Sequence, residues 1–287
     1  MIDGLKGIIT PLVTPIKDGK INEEYTKILL EFIKNEGVVA AFPMGSTGLF
    51  PFFSFDQHLK MIEYTAKNLP TGLKLLAGSS RNNSEETLEL AKKVKDVGVD
   101  VVVIVTPYYV KLSQESIKRY YDYMATHIDS DIMVYNIPQF TCNSIRPETL
   151  ASLMEEHSNI IGIKDSSGDM KLFQGFIQEL PKRALIFQGS CDLLLSSVYL
   201  GASGGVCAVS NYSDLVVQLY RTRSTEINRK VTKIIKLLAL SESPKVHYYL
   251  FFKTVLKIER PKNYMPFPIE DLKEEQEVQV YKEFLNI

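Results

Sequence analysis

Cysteine is scarce in this chain. Cys142, Cys191 and Cys207 are its three, widely spaced and outside any C-x-x-C pairing, so neither a disulfide framework nor a zinc site is expected, and a reducing compartment fits. Long apolar runs are also missing. No stretch approaches the roughly 18 uninterrupted apolar residues of a spanning helix, and the opening MIDGLKGIITPLVTP has no basic segment followed by an apolar one. The expectation is a cytoplasmic protein with no membrane partner. Charge of one sign is not in excess: 33 Lys and Arg against 34 Asp and Glu leave a net charge of -1, which gives no global attraction to nucleic acid. A small molecule is left as the expected partner. A hydrophobic fraction of 45% supplies enough apolar surface for a real core and argues against disorder.

What is present is alternation between short β-branched runs and longer amphipathic stretches. Parallel strands buried on both faces read as continuous apolar runs, whereas the helices covering them repeat every 3.6 residues. Eight such runs begin at Gly7, Val38, Leu73, Val99, Asp131, Ile160, Ala184 and Ser203, each with a helical pattern behind it. Start signals sit at Ser84, at Ser113, at Arg146 with Pro147, and at Asp169; stop glycines sit at Gly37, Gly98 and Gly201. Eight βα units in series argue for an α/β fold of the (β/α)8 TIM-barrel type, which usually needs about 250 residues, more than for an open doubly wound sheet, with seven units and a stray strand as the alternative. The catalytic barrel is therefore expected over 1–223. A helix-only region is expected over 224–287, with the proline-rich residues 264–268 as a connector.

Active sites of such barrels lie at the C-terminal ends of the strands. Four of these ends are polar: Gly45-Ser46-Thr47-Gly48, Thr106-Pro107-Tyr108-Tyr109, Tyr135-Asn136-Ile137-Pro138 and Lys164-Asp165-Ser166. Lys164 interrupts an otherwise apolar run. An ammonium directed into a barrel is costly unless it is paired or loses its proton, and a neutral amine is the nucleophile that forms an imine with a ketone. Alternatively, the lysine lies at a strand surface or pairs with Asp165. Tyr135, near the end of the preceding run, could reach a substrate held on Lys164; a phenol alone is a weak base, so a hydrogen-bonded relay is needed, with Thr47 and Tyr109 as its candidates. The alternative for Tyr135 is a core aromatic. In residues 45–48, N–H and O–H groups could converge on a carboxylate, although G-S-T-G is also an ordinary turn.

Taken together, ITPLVTP (9–15), GSTG (45–48), PYY (107–109), YNIP (135–138), GIKDSSGD (162–169) and GASGGVCAVSNY (201–212) resemble the dihydrodipicolinate synthase and N-acetylneuraminate lyase superfamily, in order and over essentially the whole chain. The resemblance implies a class I aldolase with pyruvate as the imine-forming donor, no metal and no organic cofactor, and a homotetramer built as a dimer of dimers. It implies that Lys164 forms the imine, that Tyr135 moves the proton at the reacting hydroxyl, that Ser46 and Thr47 bind the pyruvate carboxylate, and that Tyr109 enters the neighbouring subunit's site. Phe140 stands where dihydrodipicolinate synthases place an arginine for a substrate carboxylate, which disfavours that substrate. Leu49 and Phe50 follow the turn where sialic acid lyases have glutamate. GSTGL, KDSS and SNY are most similar to archaeal-type 2-keto-3-deoxygluconate aldolases, with N-acetylneuraminate lyase as the alternative and a silent keto-acid-binding barrel as a third reading. By this resemblance Ser166, Gly189, Ser190, Asp192 and Ala208 contact the sugar acid. Cys191 reads as an insertion beside Asp192, which is otherwise an acid at a helix N-terminus. The C4 epimer and the 6-phosphate stay within the implied substrate range; Lys111 is the loop cation that could meet a phosphate, and no arginine clamp accompanies it.

Overall fold

The computed structural model describes residues 4–242 and 244–287. The first three residues, where the expected leaderless opening and the barrel domain begin, lie outside that range. Eight parallel strands form a closed barrel: β1 (Gly7–Pro11), β2 (Ala40–Phe42), β3 (Lys74–Gly78), β4 (Val101–Val105), β5 (Asp131–Asn136), β6 (Ile160–Asp165), β7 (Leu185–Gln188) and β8 (Gly204–Val206). Each pairs with its neighbour in sequence, and β1 closes the ring against both β2 and β8. All five residues of β4, VVVIV, are buried, as expected for a strand covered by helices outside and by other strands' side chains inside.

The covering helices are α1 (Glu23–Glu36), α2 (Phe55–Lys67), α3 (Ser84–Asp96), α4 (Gln114–His127), α5 (Pro147–Glu156), α6 (Met170–Glu179), α7 (Leu194–Tyr199) and α8 (Leu215–Thr222). Ser113, Arg146 with Pro147, and Asp169 occupy the expected starts of α4, α5 and α6. At α3 the cap is one residue earlier than Ser84. The Asn83 side chain accepts the Glu86 N–H at 2.7 Å, because a carboxamide oxygen caps as well as a hydroxyl and reaches this donor first. A short antiparallel ribbon (Ile16–Lys17 with Lys20–Ile21), turned by Asp18 and Gly19 in left-handed conformations, separates β1 from α1; it is the two-residue Asp-Gly turn preferred by hairpins.

Beyond α8 the chain is helical: α9 (Thr225–Leu237), α10 (Lys245–Leu250) running on into a π-helical segment (Phe251–Val255), and α11 (Glu274–Leu285). The last helix starts later than the run at Ile269 suggests. Asp271 accepts the backbone N–H groups of Asn263, Tyr264 and Met265, and these bonds hold the approach to α11 in a non-helical path. The segment packs on the barrel: Tyr248 accepts the Thr14 N–H through its hydroxyl at 3.0 Å, and the Tyr25 and Phe252 rings meet edge to face at 5.8 Å. Among the described residues no helix is long and apolar enough to cross a membrane, and the three cysteines are free thiols.

Candidate active site

The β5–β6 pair sets the site. Ile132 is the partner of Ile160, but Met133 is the partner of Gly162, so β6 carries one extra residue, Ile161, and everything beyond it is shifted by one. The shift places Lys164 opposite Tyr135. Such a bulge re-aims the side chains that follow it. Lys164 is 4% exposed, and its Nζ lies 3.9 Å from the centre of the Tyr135 ring and 5.1 Å from that of Phe42. The aromatic faces give an ammonium partial compensation for lost water.

Asp165 is not the lysine's counter-ion. Its carboxylate accepts from Asn136 Nδ2 at 2.8 Å, from Ser167 Oγ at 2.8 Å and from the Ser167 N–H at 3.2 Å, and no ion pair joins it to Lys164 among the described residues. Burial pushes the Asp165 carboxyl up, against the downward pull of the Asn136 and Ser167 bonds. Asn136 ties this corner together, since its Oδ1 also accepts the Ile145 N–H.

The turn 45–48 approaches from β2. Its left-handed residues are the flanking Met44 (φ 58°) and Leu49 (φ 57°), not the two glycines. Gly48 is required by closeness instead: a Cβ there would sit 3.1 Å from both the Leu12 carbonyl oxygen and the Met44 nitrogen. Thr14 Oγ1 donates to the Gly48 carbonyl at 2.7 Å and fixes the turn from below. Ser46 Oγ lies 3.3 Å from the Tyr135 hydroxyl. The hydroxyl within hydrogen-bond reach of Tyr135 is that of Ser46; Thr47, a relay candidate together with Tyr109, lines the same cavity.

That cavity has a volume of about 680 Å³ and opens at the C-terminal ends of the strands. Ser46, Thr47, Tyr135, Lys164, Ser166, Gly189, Ser190, Asp192 and Ala208 all line it. Ser166 is held by its own backbone, donating its N–H to Asn136 O at 2.8 Å and accepting from Gln139 Nε2 at 2.7 Å. Gly189 has to be glycine here, because a Cβ would fall 1.9 Å from Ser166 Oγ. Cys191, read as an insertion, opens a 3₁₀ turn (Cys191–Leu193) whose second residue is Asp192. Asp192 is therefore both an acid in a first helical turn and part of the cavity lining.

Tyr109 is the expected site residue that this chain does not bring in. It is 92% exposed with φ 79°, and it is Tyr108 that lines the cavity. Lys111 is exposed and likewise outside the lining. Phe140, exposed at the rim, does line it.

Several contributors had no motif to announce them. Asn143, buried, donates to the carbonyls of Pro107 and Val110 at 2.7 and 2.8 Å and accepts the Leu112 N–H at 2.7 Å, and so holds the loop that carries Tyr109. From the C-terminal segment Ile235, Leu238, Glu242, Pro244, His247 and Ile269 form one wall of the cavity. His247 Nδ1 lies 2.9 Å from the hydroxyl of buried Tyr212. Burial brings the His247 imidazole down to about 4 and pushes the Tyr212 phenol well up. Only the break from βα alternation to plain helix after β8 could have hinted that this segment reaches the mouth.

A closed parallel barrel with one buried amine beside a phenol at its C-terminal mouth, and a turn of hydroxyls facing both, is the frame of an enzyme of the aldolase class of lyases. The chain matches the model of the dihydrodipicolinate synthetase family over residues 4–284 and belongs to that family. It is 37% identical over 250 residues, 84% of this chain and 93% of the relative, to a 2-dehydro-3-deoxy-D-gluconate/2-dehydro-3-deoxy-phosphogluconate aldolase of Picrophilus torridus. A 4-hydroxy-tetrahydrodipicolinate synthase of Methanococcus maripaludis is 31% identical over 248 residues, 84% of this chain and 85% of the relative. Among solved structures, a 2-keto 3-deoxygluconate aldolase from Picrophilus torridus superposes with a TM-score of 0.85 at 36% identity, over 93% of this chain and 98% of the other.

Proposed function

We propose that this enzyme reversibly cleaves 2-keto-3-deoxygluconate to pyruvate and glyceraldehyde through an imine on Lys164. The observation that carries the reading is the pairing of Lys164 with Tyr135 across β5 and β6, both in a cavity that also holds Ser46, Thr47 and Ser166. In the cleavage direction the Lys164 amine adds to the C2 ketone and water leaves, giving a protonated imine. Tyr135 takes the proton of the C4 hydroxyl, the C3–C4 bond breaks, and the electron pair is received by the imine as an enamine. Glyceraldehyde departs. The enamine is protonated at C3, and water returns to release pyruvate and the free lysine. Lys164 is thus its own covalent carrier, and no metal or organic cofactor enters the scheme.

Ser46 and Thr47 lie where a pyruvate carboxylate would meet O–H groups, and the 3.3 Å approach of Ser46 to Tyr135 supports passage of the proton along hydroxyls. The absence of any arginine from the lining among the described residues, with Phe140 at the rim, supports a sugar-acid acceptor over one that brings a second carboxylate. Tyr109, projecting from its loop, is assigned to the site of an adjacent copy in a dimer of dimers.

The test is borohydride trapping with pyruvate, followed by pyruvate release from a panel of sugar acids. Lys164→Ala should abolish trapping. Tyr135→Phe should keep trapping and lose on the order of 10²–10⁴-fold in cleavage. Faster release from N-acetylneuraminate than from 2-keto-3-deoxygluconate would move the assignment to that lyase; no trapped adduct on Lys164 would end it.

A further inference from the structure

The pyruvate half of the substrate is accounted for by Lys164, Tyr135 and the 45–48 turn. The acceptor half must then meet the rest of the lining, and the wall supplied by the C-terminal segment is mostly apolar: Ile235, Leu238, Pro244 and Ile269, interrupted by Glu242 and His247. The charges of the lining are unequal. Lys164 is its one cation among the described residues, and as the protonated imine its charge stays at C2, in the carboxylate half of the substrate; Asp192 and Glu242 are carboxylates. Two neighbouring cations are already paired. Lys245 lies outside the lining with its ammonium 3.4 Å from Glu242, and Arg81 is bonded to Glu86 and to the Phe53 carbonyl.

We propose that this wall is a subsite for the uncharged, hydroxylated end of the acceptor, read by the His247 imidazole, and that it rejects the 6-phosphate of the same sugar acid. The proposal rests on the 2-keto-3-deoxygluconate reading and narrows it. The Tyr212 hydroxyl and His247 Nδ1 share a hydrogen bond of 2.9 Å, and the subsite uses the tautomer in which the phenol, kept protonated by burial, is the donor. In that tautomer the proton is on Nε2, which has no hydrogen-bond partner among the described residues, on a ring that lines the cavity. Burial keeps the ring neutral at physiological pH. A neutral N–H is a good partner for a hydroxyl but cannot compensate a phosphate, which brings about two negative charges at pH 7 towards Asp192 and a Glu242 already paired with Lys245, with no arginine fork to receive it.

Cleavage of 2-keto-3-deoxygluconate and of its 6-phosphate, measured side by side, tests this. The wild type should prefer the unphosphorylated acid by about 100-fold or more in kcat/KM. His247→Ala should raise KM for that acid about 10-fold with little change in kcat, while pyruvate trapping by borohydride stays at the wild-type level; His247→Gln, which restores an N–H, should recover most of the loss. Tyr212→Phe, which only releases the ring, should give a smaller rise in KM and serves if His247→Ala folds poorly. Glu242→Lys should increase cleavage of the 6-phosphate. Comparable turnover of both acids by the wild type, or an unchanged KM in both His247→Ala and Tyr212→Phe, overturns this proposal and leaves the aldolase reading standing. Trapping of pyruvate with cleavage of neither acid would instead bring down the acceptor assignment, and this subsite with it.

Discussion

Tyr135 and Lys164 face each other because β6 carries one more residue than β5 between their first and last pairings. With Ile132 paired to Ile160 and no bulge, the partner of Tyr135 would be Ile163. The amine owes its position to Ile161.

Gly162, immediately after the bulge, keeps β7 close enough to seal it. A Cβ there would fall 1.9 Å from the Leu185 carbonyl oxygen, and that atom belongs to strand backbone, which cannot swing aside. Gly162→Ala is expected to cost on the order of 2–4 kcal/mol and to lower pyruvate trapping in the folded fraction by shifting Lys164. Denaturant unfolding together with trapping checks both; wild-type values in the two assays would contradict this account of the strand pair.

The loop that presents Tyr109 depends on Asn143. Removing its side chain strips partners from three backbone groups of that loop, Pro107 O, Val110 O and Leu112 N, and from Thr141 O, and a buried polar group left unpaired costs roughly 1–3 kcal/mol. Asn143→Ala should therefore lower stability by about 2–4 kcal/mol. Asn143→Asp should fare no better, since a carboxylate cannot donate to these carbonyls. Thermal unfolding of both variants is the measurement, and an Asp variant as stable as wild type would refute the donor role.

If Tyr109 serves a neighbouring copy, its loss can be complemented. Lys164→Ala chains lack the nucleophile but carry Tyr109, whereas Tyr109→Phe chains have the reverse. Mixed and reassembled, half the dimers should be hybrids with one intact site each, which restores about a quarter of wild-type activity from two inactive proteins by the isologous exchange of a two-fold dimer. No recovery on mixing, with hybrids demonstrated by mass, would place Tyr109 outside the partner's site.

His58 gives the fold a defined response to acid. It is fully buried beside Phe50, donates Nε2–H to Gly78 O at 2.7 Å, and has no partner for Nδ1 among the described residues. Burial brings its pKa down from 6.5 to about 4. Between these values the unfolded chain binds the extra proton and the native one does not. The stabilisation is therefore complete above pH 6.5 and is lost as pH falls towards 4, a change on the order of 3 kcal/mol. His58→Gln, which keeps a donor for Gly78, should flatten the stability profile in that window. An equally steep profile in the variant would assign the acid sensitivity to other groups, with His247 the next to test because burial lowers it likewise.

All eight strands and the starts of α4, α5 and α6 were legible in the sequence, because burial on both faces of a strand and side-chain capping are local demands that leave local marks. The residues of the turn at 45–48 were legible too, but not its conformation: the positive φ angles fell on Met44 and Leu49, and Gly48 answers in part to the Leu12 carbonyl, 36 positions away in the chain. Asn143 left no mark either, since its bonds close across a loop whose path is set by the fold.

By itself the chain determined that a parallel barrel would form and that Lys164, Tyr135, Ser46 and Ser166 would stand at strand ends, because hydrophobic period and strand direction are written residue by residue. Only the tertiary structure decided that an extra residue in β6 sets the amine against the phenol, and that His247, from beyond the barrel, joins Asp192 around one cavity. Strand register and the docking of a distant helix follow from which surfaces can pack together, and those surfaces exist only once the chain has folded.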